Sequence, residues 1–499
     1  MAKIAIIGGG VAGLTAGIYA LKDGHSVTVI EKNAEAGGNL TGWYRRGYHI
    51  DNCIHWLTGT NPASATYKIW KDTGALGDTD VIQPEKLYSC KVGGQELSLS
   101  ENIDELERDM ISASYADRKE TAKFIRAIKF VQGFFGIAGE DNDQKIPFLD
   151  AVVAAKDIWG YHNLSTGELA ERFKSPLLKR FIRCLLGDDY SAAALLVVFA
   201  TFCGKNGGLP KGGSKAMAKR MSDKFVSSGG ELILGKSVEK MKTVGRNAVG
   251  ILLSDGSEIT ADYFISATDP TAFFGKILKA EMPPKLKRQY KDKRYMRVSS
   301  VHCAFSCDLL KLPFRGDVIL DISGDNYDLF GGDNLILREF SHEKNFAPEG
   351  KNVLQAFVFT DERDSLRLVE CGSHAKEYAA LKRKTAEKIK GVIEREYPEL
   401  KDNIRLLDVW TPATYNRYFG SETGSYMSFT VPPKIIPFKA GGKLKEFDNV
   451  WLASQWLCPA GGLPSAAESG KRTAEEITAA EKRKTRAFPL FFTRKIKTQ

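Results

Sequence analysis

A chain that runs through a buried strand, a Gly-x-Gly-x-x-Gly turn, a helix, a second strand and an acid within 31 residues predicts an α/β protein headed by a Rossmann-like dinucleotide-binding domain. Two further observations complete the fold class. A long, mostly helical stretch from Ala63 interrupts that domain, and short apolar strands reappear near Tyr263 and Val450. Insertions of this kind build a second domain, here of mixed α+β character, and leave both domains discontinuous in sequence.

Lys3-Ile4-Ala5-Ile6-Ile7 has the length and apolarity of a buried parallel strand. In the turn that follows, Gly8 permits the tight bend and Gly10 lets the backbone approach a pyrophosphate. Gly13, which follows Val11 and Ala12 in the turn, lets the helix pack closely on the sheet, its N-terminal dipole directed at the phosphates. Leu14 to Lys22 reads as that helix, Asp23-Gly24-His25 stops it, and Ser26 to Ile30 forms the second strand. Glu31 then stands where a carboxylate accepts hydrogen bonds from ribose hydroxyls. The motif by itself serves NAD and FAD equally.

The residues after the acid, Lys32 to Leu40 with the pair Gly37-Gly38, resemble the extension found in FAD oxidoreductases of the amine oxidase and phytoene desaturase superfamily. The resemblance implies FAD, in a domain of the glutathione reductase and amine oxidase type. It places Lys32, Gly37, Gly38, Asn39 and Leu40 against the phosphate and ribityl region, with Asn39 where Arg or Lys is usual. Gly47 to Trp56 is similar to a stretch of the carotenoid desaturase, carotenoid isomerase and retinol saturase group, with Cys53 in place of a common glycine and Trp56 in place of a tyrosine. Pro459 to Gly470 resembles the C-terminal signature of the same group, which implies that Gly461, Gly462 and Ser465 lie at the isoalloxazine. There a helix N-terminus stabilises negative charge on reduced flavin. The family pattern also places Val238 beside the adenine and Ala267 at the end of a cofactor-binding strand.

The order of these segments divides the chain into an FAD domain (1–62, 207–275 and 436–480), a substrate domain (63–206 and 276–435) and a basic-aromatic tail (481–499). Gly207 to Ser214 reads as a glycine-rich loop with Ser214 capping the next helix, and Gly229 to Lys240 as a strand returning to the nucleotide domain. Lys86–Tyr88, Glu96–Leu99, Arg297–Leu309 and Asn352–Thr360 read as strands, and His374–Tyr397 as an amphipathic helix. Phe124, Ile125, Ile128, Val131 and Phe135 recur at helical spacing. That pattern suits a core-facing helix, a membrane-surface helix or a cavity wall.

The net charge of +10 invites a nucleic-acid reading, yet +6 of it sits in residues 481–499, so no basic module remains elsewhere and nucleic acid is not an expected partner. The tail is instead expected to touch anionic membrane. Met1-Ala2-Lys3 runs straight into the first strand, and the eight cysteines show neither zinc nor redox-pair spacing. A cytoplasmic protein, with peripheral membrane contact, and no metal site is the expectation.

The resemblance implies a long unsaturated substrate such as a carotenoid or retinoid, with a C–C double bond desaturated, saturated or isomerised. His55 matches a histidine of the saturase and isomerase branch and is the catalytic candidate, while Tyr48, Trp56 and Lys211 are substrate candidates. A second dinucleotide motif is not evident, so electrons are expected to pass to or from a diffusible quinone, oxygen or NAD(P)H. A flavin amine oxidase acting on a polar amine and a non-catalytic FAD-binding protein remain the alternatives. An aromatic cage with a carboxylate favours the former, and a long apolar tunnel opposes it.

Overall fold

The computed structural model describes residues 1–134, 136, 158–323, 329–330, 332–435 and 440–493, with side chains as far as Lys484. Five parallel strands form one sheet in the order Glu231–Ile233, Ser26–Ile30, Lys3–Ile7, Tyr263–Ser266, Val450–Leu452. They are apolar on both faces because both faces are covered. On one side the helices Val11–Lys22, Gly213–Ser227 and Leu463–Thr493 bury Ile4, Ile6, Val27 and Val29. On the other a small antiparallel sheet, Val238–Val244, Asn247–Leu253 and Glu258–Ile259, buries Ala5, Ile7 and Phe264.

A seven-stranded sheet builds the second lobe, in the order Ile404–Trp410, Ser299–Cys307, Asn352–Thr360, Asn334–Glu339, Asp317–Asp321, Lys86–Val92, Gln95–Ser100. One face carries Val301, Leu337, Ala356 and Val358 against the helix Ala375–Glu396. The opposite face carries Ile319, Ile336 and Phe357 towards the helices Arg118–Phe134, Pro176–Arg183 and Ala192–Cys203. Phe124, Ile125, Ile128 and Val131 belong to that core, with Phe124 edge-on to Phe199, so their helix faces the interior. Phe135 lies outside the described residues.

Three local expectations change. Gly229–Lys240 is two strands rather than one: Glu231–Ile233 joins the parallel sheet and Val238–Val244 the small antiparallel one. Gly207–Pro210 is a strand, paired with Leu57–Thr58 and Val81–Ile82. Its glycines serve close packing, since a Cβ on Gly208 would stand 2.4 Å from Val81 Cγ1. The next helix begins at Gly213 and has no side-chain cap from its own N-cap residue, Gly212. Ser214 sits inside the first turn, where Asp51 accepts hydrogen bonds from its backbone N and its Oγ, both at 2.6 Å. Asp51 therefore supplies the anchor that the sequence suggested for Ser214.

The last helix continues past Ala480 to Thr493. Glu481 accepts a hydrogen bond from Tyr263 OH at 2.8 Å, and Lys484 stands over the same ring. The remaining tail side chains, Arg486 to Lys497 among them, lie outside the described residues. No helix among the described residues is long and apolar enough to cross a membrane.

Candidate active site

The site lies at the carboxyl ends of the parallel strands. Gly8 turns the chain with a φ of +104°. A Cβ on Gly13 would meet the Gly8 carbonyl oxygen at 2.0 Å and Ala267 Cβ at 3.2 Å, so the first helix rests directly on the sheet. That helix starts after Gly10 without a side-chain cap, leaving its first N–H groups for an anion. Opposite it stand Gly37 and Gly38, at φ +133° and +59°. Gly37 N donates to Gly9 O at 2.8 Å, and Gly38 Cα lies 3.8 Å from where a Gly10 Cβ would be. Two turns without side chains face one another as a cradle for a pyrophosphate.

Glu31 closes the cradle. Its Oε2 accepts from Gly9 N at 2.8 Å, and its Oε1 from Asn33 N and Nδ2 at 2.9 and 2.8 Å. Oε2, with one donor, retains capacity for a ribose hydroxyl. Lys32 alongside donates to the Arg417 carbonyl at 3.0 Å, and burial lowers its pKa against the pull of Glu31. Asn39 Nδ2 is tied to the Tyr426 carbonyl at 2.8 Å, while its Oδ1 is buried without a partner among the described residues. At the far side the helix Leu463–Thr493 begins after Gly462, at φ +95°, whose N–H is held by Gln455 Oε1 at 2.8 Å. A Cβ on Gly461 would strike Ser428 Oγ at 2.5 Å.

A cavity of about 1650 Å³ runs from this cradle into the second lobe. A site for one small ligand occupies about 300–1,000 Å³, so this one has room for a dinucleotide and a second molecule. Of the cofactor candidates, Gly8, Gly10, Val11 and Ala12 line it, as do Glu31, Lys32, the run Gly37–Leu40, Val238, Ala267, Gly461, Gly462 and Ser465. Gly13 lies behind the wall as a packing residue. The glycine cradle, the uncapped helix and the unpartnered Asn39 oxygen fit a flavin dinucleotide.

His55, the catalytic candidate, and Trp56, a substrate candidate, line the cavity, whereas the other two substrate candidates, Tyr48 and Lys211, do not. Tyr48 is buried with Phe340, Phe346 and Val353, because its strand turns that ring towards the second lobe. Lys211 points to solvent and pairs with Asp80 at 3.7 Å. His55 meets Phe357 edge-on, with ring centroids 4.8 Å apart. Burial, then the nearby Arg338 and His302, hold its pKa well below the usual imidazole value. It is neutral at pH 7 and has no proton to donate as an imidazolium.

The sequence did not reveal the cavity floor. Phe357, Ile336 and Ile319 are successive cross-strand partners that line it, and His302 continues the row across the sheet without lining the cavity. His302 is stacked between Trp410, at 4.7 Å, and Phe357, at 4.9 Å, and burial lowers its pKa to about 3. Beside the row, Arg338 Nε donates to Asp317 Oδ2 at 3.1 Å and Nη2 to the Ile54 carbonyl at 3.0 Å. The helix Ala192–Cys203 forms part of the opposite wall through Ala194, Val197, Val198 and Thr201.

A nucleotide cradle joined to a second, largely apolar chamber is the arrangement of a flavin-dependent oxidoreductase. The chain belongs to the flavin containing amine oxidoreductase family, whose model matches residues 11–478, and its cofactor is FAD. It is similar to the chloroplastic prolycopene isomerase of Daucus carota, 24% identical over 95% of this chain and 79% of that one. It is also similar to the 4,4'-diaponeurosporene oxygenase of Staphylococcus aureus (strain MW2), 22% identical over 96% and 98%. A solved oxidoreductase from Methanosarcina mazei shares the fold with a TM-score of 0.59 and 16% identity, over 94% of this chain and 99% of that one.

Glu31→Ala is expected to lower FAD affinity by tenfold or more, since hydrogen bonds to a charged group contribute about 1.5–3 kcal/mol each. Flavin content per chain after gel filtration checks this; full retention would show that Glu31 does not hold the ribose.

Proposed function

We propose that the protein is an FAD-dependent oxidoreductase acting on carbon–carbon double bonds of a long, apolar, polyene-like molecule, by desaturation, saturation or isomerisation. The observation that carries this reading is the row Phe357, Ile336, Ile319, which leads away from the cradle along the cavity floor. From the Phe357 strand to the Tyr88 strand is three strand spacings, about 14 Å at about 4.8 Å each. An extended chain lies along such a row, whereas a small polar amine leaves most of it unfilled.

Bound FAD supplies hydride transfer. The protein's part is to bind, orient and keep water out. Gly461, Gly462 and Ser465 would hold the flavin ring system with backbone and a helix N-terminus. His55, Trp56 and Tyr426 line the cavity, where they would contact a substrate beside the flavin. Neutral His55 offers a flat contact surface, and its role is to position the double bond. Electrons pass to or from a diffusible partner such as a quinone, oxygen or NAD(P)H.

An aromatic cage with a free carboxylate beside the flavin would favour the amine oxidase reading. Asp317 is engaged by Arg338, and Asp269 caps its own short helix through Thr271 N at 2.8 Å. Anaerobic titration separates the two readings. Bleaching of the oxidised flavin by a C30–C40 polyene in detergent, or isomerisation of a cis polyene by the dithionite-reduced protein, is the expected result. Bleaching by benzylamine or putrescine, with no change in any polyene, would overturn it.

A further inference from the structure

The cavity ends, away from the cradle, at a guanidinium with unused hydrogen-bonding capacity. Arg180 lies on the helix Pro176–Arg183 and lines the cavity, its side chain only 10% exposed. Its Nη1 stands 3.8 Å from Asp321 Oδ2, an ion pair too long for a hydrogen bond. Its Nε and Nη2 are buried with no partner among the described residues. Buried donors left unpaired are costly, so an arrangement that keeps two on one side chain points to a ligand.

The same helix shows what that edge does. Arg183 holds Asp188 through Nε to Oδ1 at 2.8 Å and Nη2 to Oδ2, the two-pronged geometry that matches a carboxylate. Arg180 presents the same Nε–Nη2 edge with no carboxylate on it. The neighbouring charges are otherwise committed: Lys179 to Glu171, Arg338 to Asp317, and Asp321 to the backbone N and Oγ of Ser323. Asp189 and Asp333 stand exposed at the rim, where water screens them.

Arg180, from its helix, meets the strand that ends the hydrophobic row. Asp321, its ion-pair partner, is two residues from Ile319 and therefore on the same face of the sheet. A chain lying on Ile319, Ile336 and Phe357 thus has its outer end at Arg180 and its inner end at the flavin. We infer that Arg180 receives the terminal carboxylate of the substrate, and that the substrate class is a long unsaturated chain with one carboxylate end. This deepens the proposed function and rests on it.

The test uses the FAD-loaded protein with palmitate, methyl palmitate and hexadecanol, each kept dispersed by the same concentration of a non-ionic detergent. Binding is read by calorimetry and by the change in flavin absorbance. Palmitate is expected to bind at least about tenfold more tightly than the ester or the alcohol. In Arg180→Met the three are expected to bind within about twofold of one another, with ester affinity and flavin content unchanged. Arg180→Lys, which keeps the charge but not the two-pronged edge, is expected to restore part of the preference. Equal binding of acid and ester by the parent protein would overturn the inference, as would an acid preference that survives in Arg180→Met. The comparison on the parent protein decides the matter even if the variant fails to fold. Binding of none of the three would overturn the apolar-substrate reading, and the inference with it.

Discussion

Gly470→Val is expected to give a protein that has lost most of its flavin and is less stable by about 1–3 kcal/mol, the usual cost of overpacking. Gly470 lies in the helix Leu463–Thr493 where that helix crosses Val11–Lys22. A Cβ there would stand 2.3 Å from the Ala12 carbonyl oxygen and 3.0 Å from Ala16 N. Those are backbone atoms inside a helix, so no rotamer change relieves the clash and the helices must separate. Both deliver their N-termini to the cavity, one at the pyrophosphate cradle and one at Gly461–Ser465. A separation of about 1 Å moves the N–H groups away from the phosphates, and misplacement of that size is felt strongly at a preorganised site. Flavin-to-protein absorbance ratio and thermal melting with and without added FAD check this. Gly470→Ala should show the same losses in smaller measure; a valine variant with full flavin content would show that the helix crossing does not set the cradle.

The cradle was legible because its logic is local. Strand, turn, helix, strand and acid follow one another within 31 residues, and Gly9, Gly10 and Gly13 meet their nearest neighbours within that unit or in Gly37-Gly38, while Gly8 meets Ala267 and Thr268. Gly470 was legible only as part of a resemblance; its physical reason, contact with Ala12 across more than 450 residues, needed coordinates. The cavity floor was not legible at all. Leu335-Ile336-Leu337 is apolar on both faces, since both faces are buried, so alternation does not say that Ile336 faces the chamber while its neighbours face the long helix. The same blindness to facing misplaced Tyr48 and Lys211. The tie from Asp51 to the helix at Gly213 likewise joins residues 163 positions apart, and local capping rules favoured Ser214 instead.

Arg338→Leu is expected to destabilise the protein by about 3–5 kcal/mol near pH 8, the range for removing one partner of a buried ion pair, and by clearly less at pH 5. Arg338 is 4% exposed and holds both Asp317 and the Ile54 carbonyl. Burial raises the pKa of Asp317 to about 6 even though Arg338 pulls it down. An unfolded Asp titrates near about 3.9, so the folded state favours the proton. That contribution to stability is fully present below about pH 3.9 and is lost as pH rises through about 6. Without Arg338 the folded pKa rises further. At pH 8 the variant must bury an unpaired carboxylate or bind a proton to fold, whereas at pH 5 the carboxyl is already protonated. Urea melts at the two pH values measure the difference; equal losses would show that Asp317 carries no charge in the parent at pH 8. Replacing both residues, Arg338→Leu with Asp317→Leu, should recover most of the stability, because an apolar pair of similar size leaves no buried charge behind. It should not recover the site. Arg338 also lowers the pKa values of His55 and His302 and fixes the carbonyl next to His55, so the double variant is predicted to keep its fold and its FAD while His55 loses its place on the cavity wall.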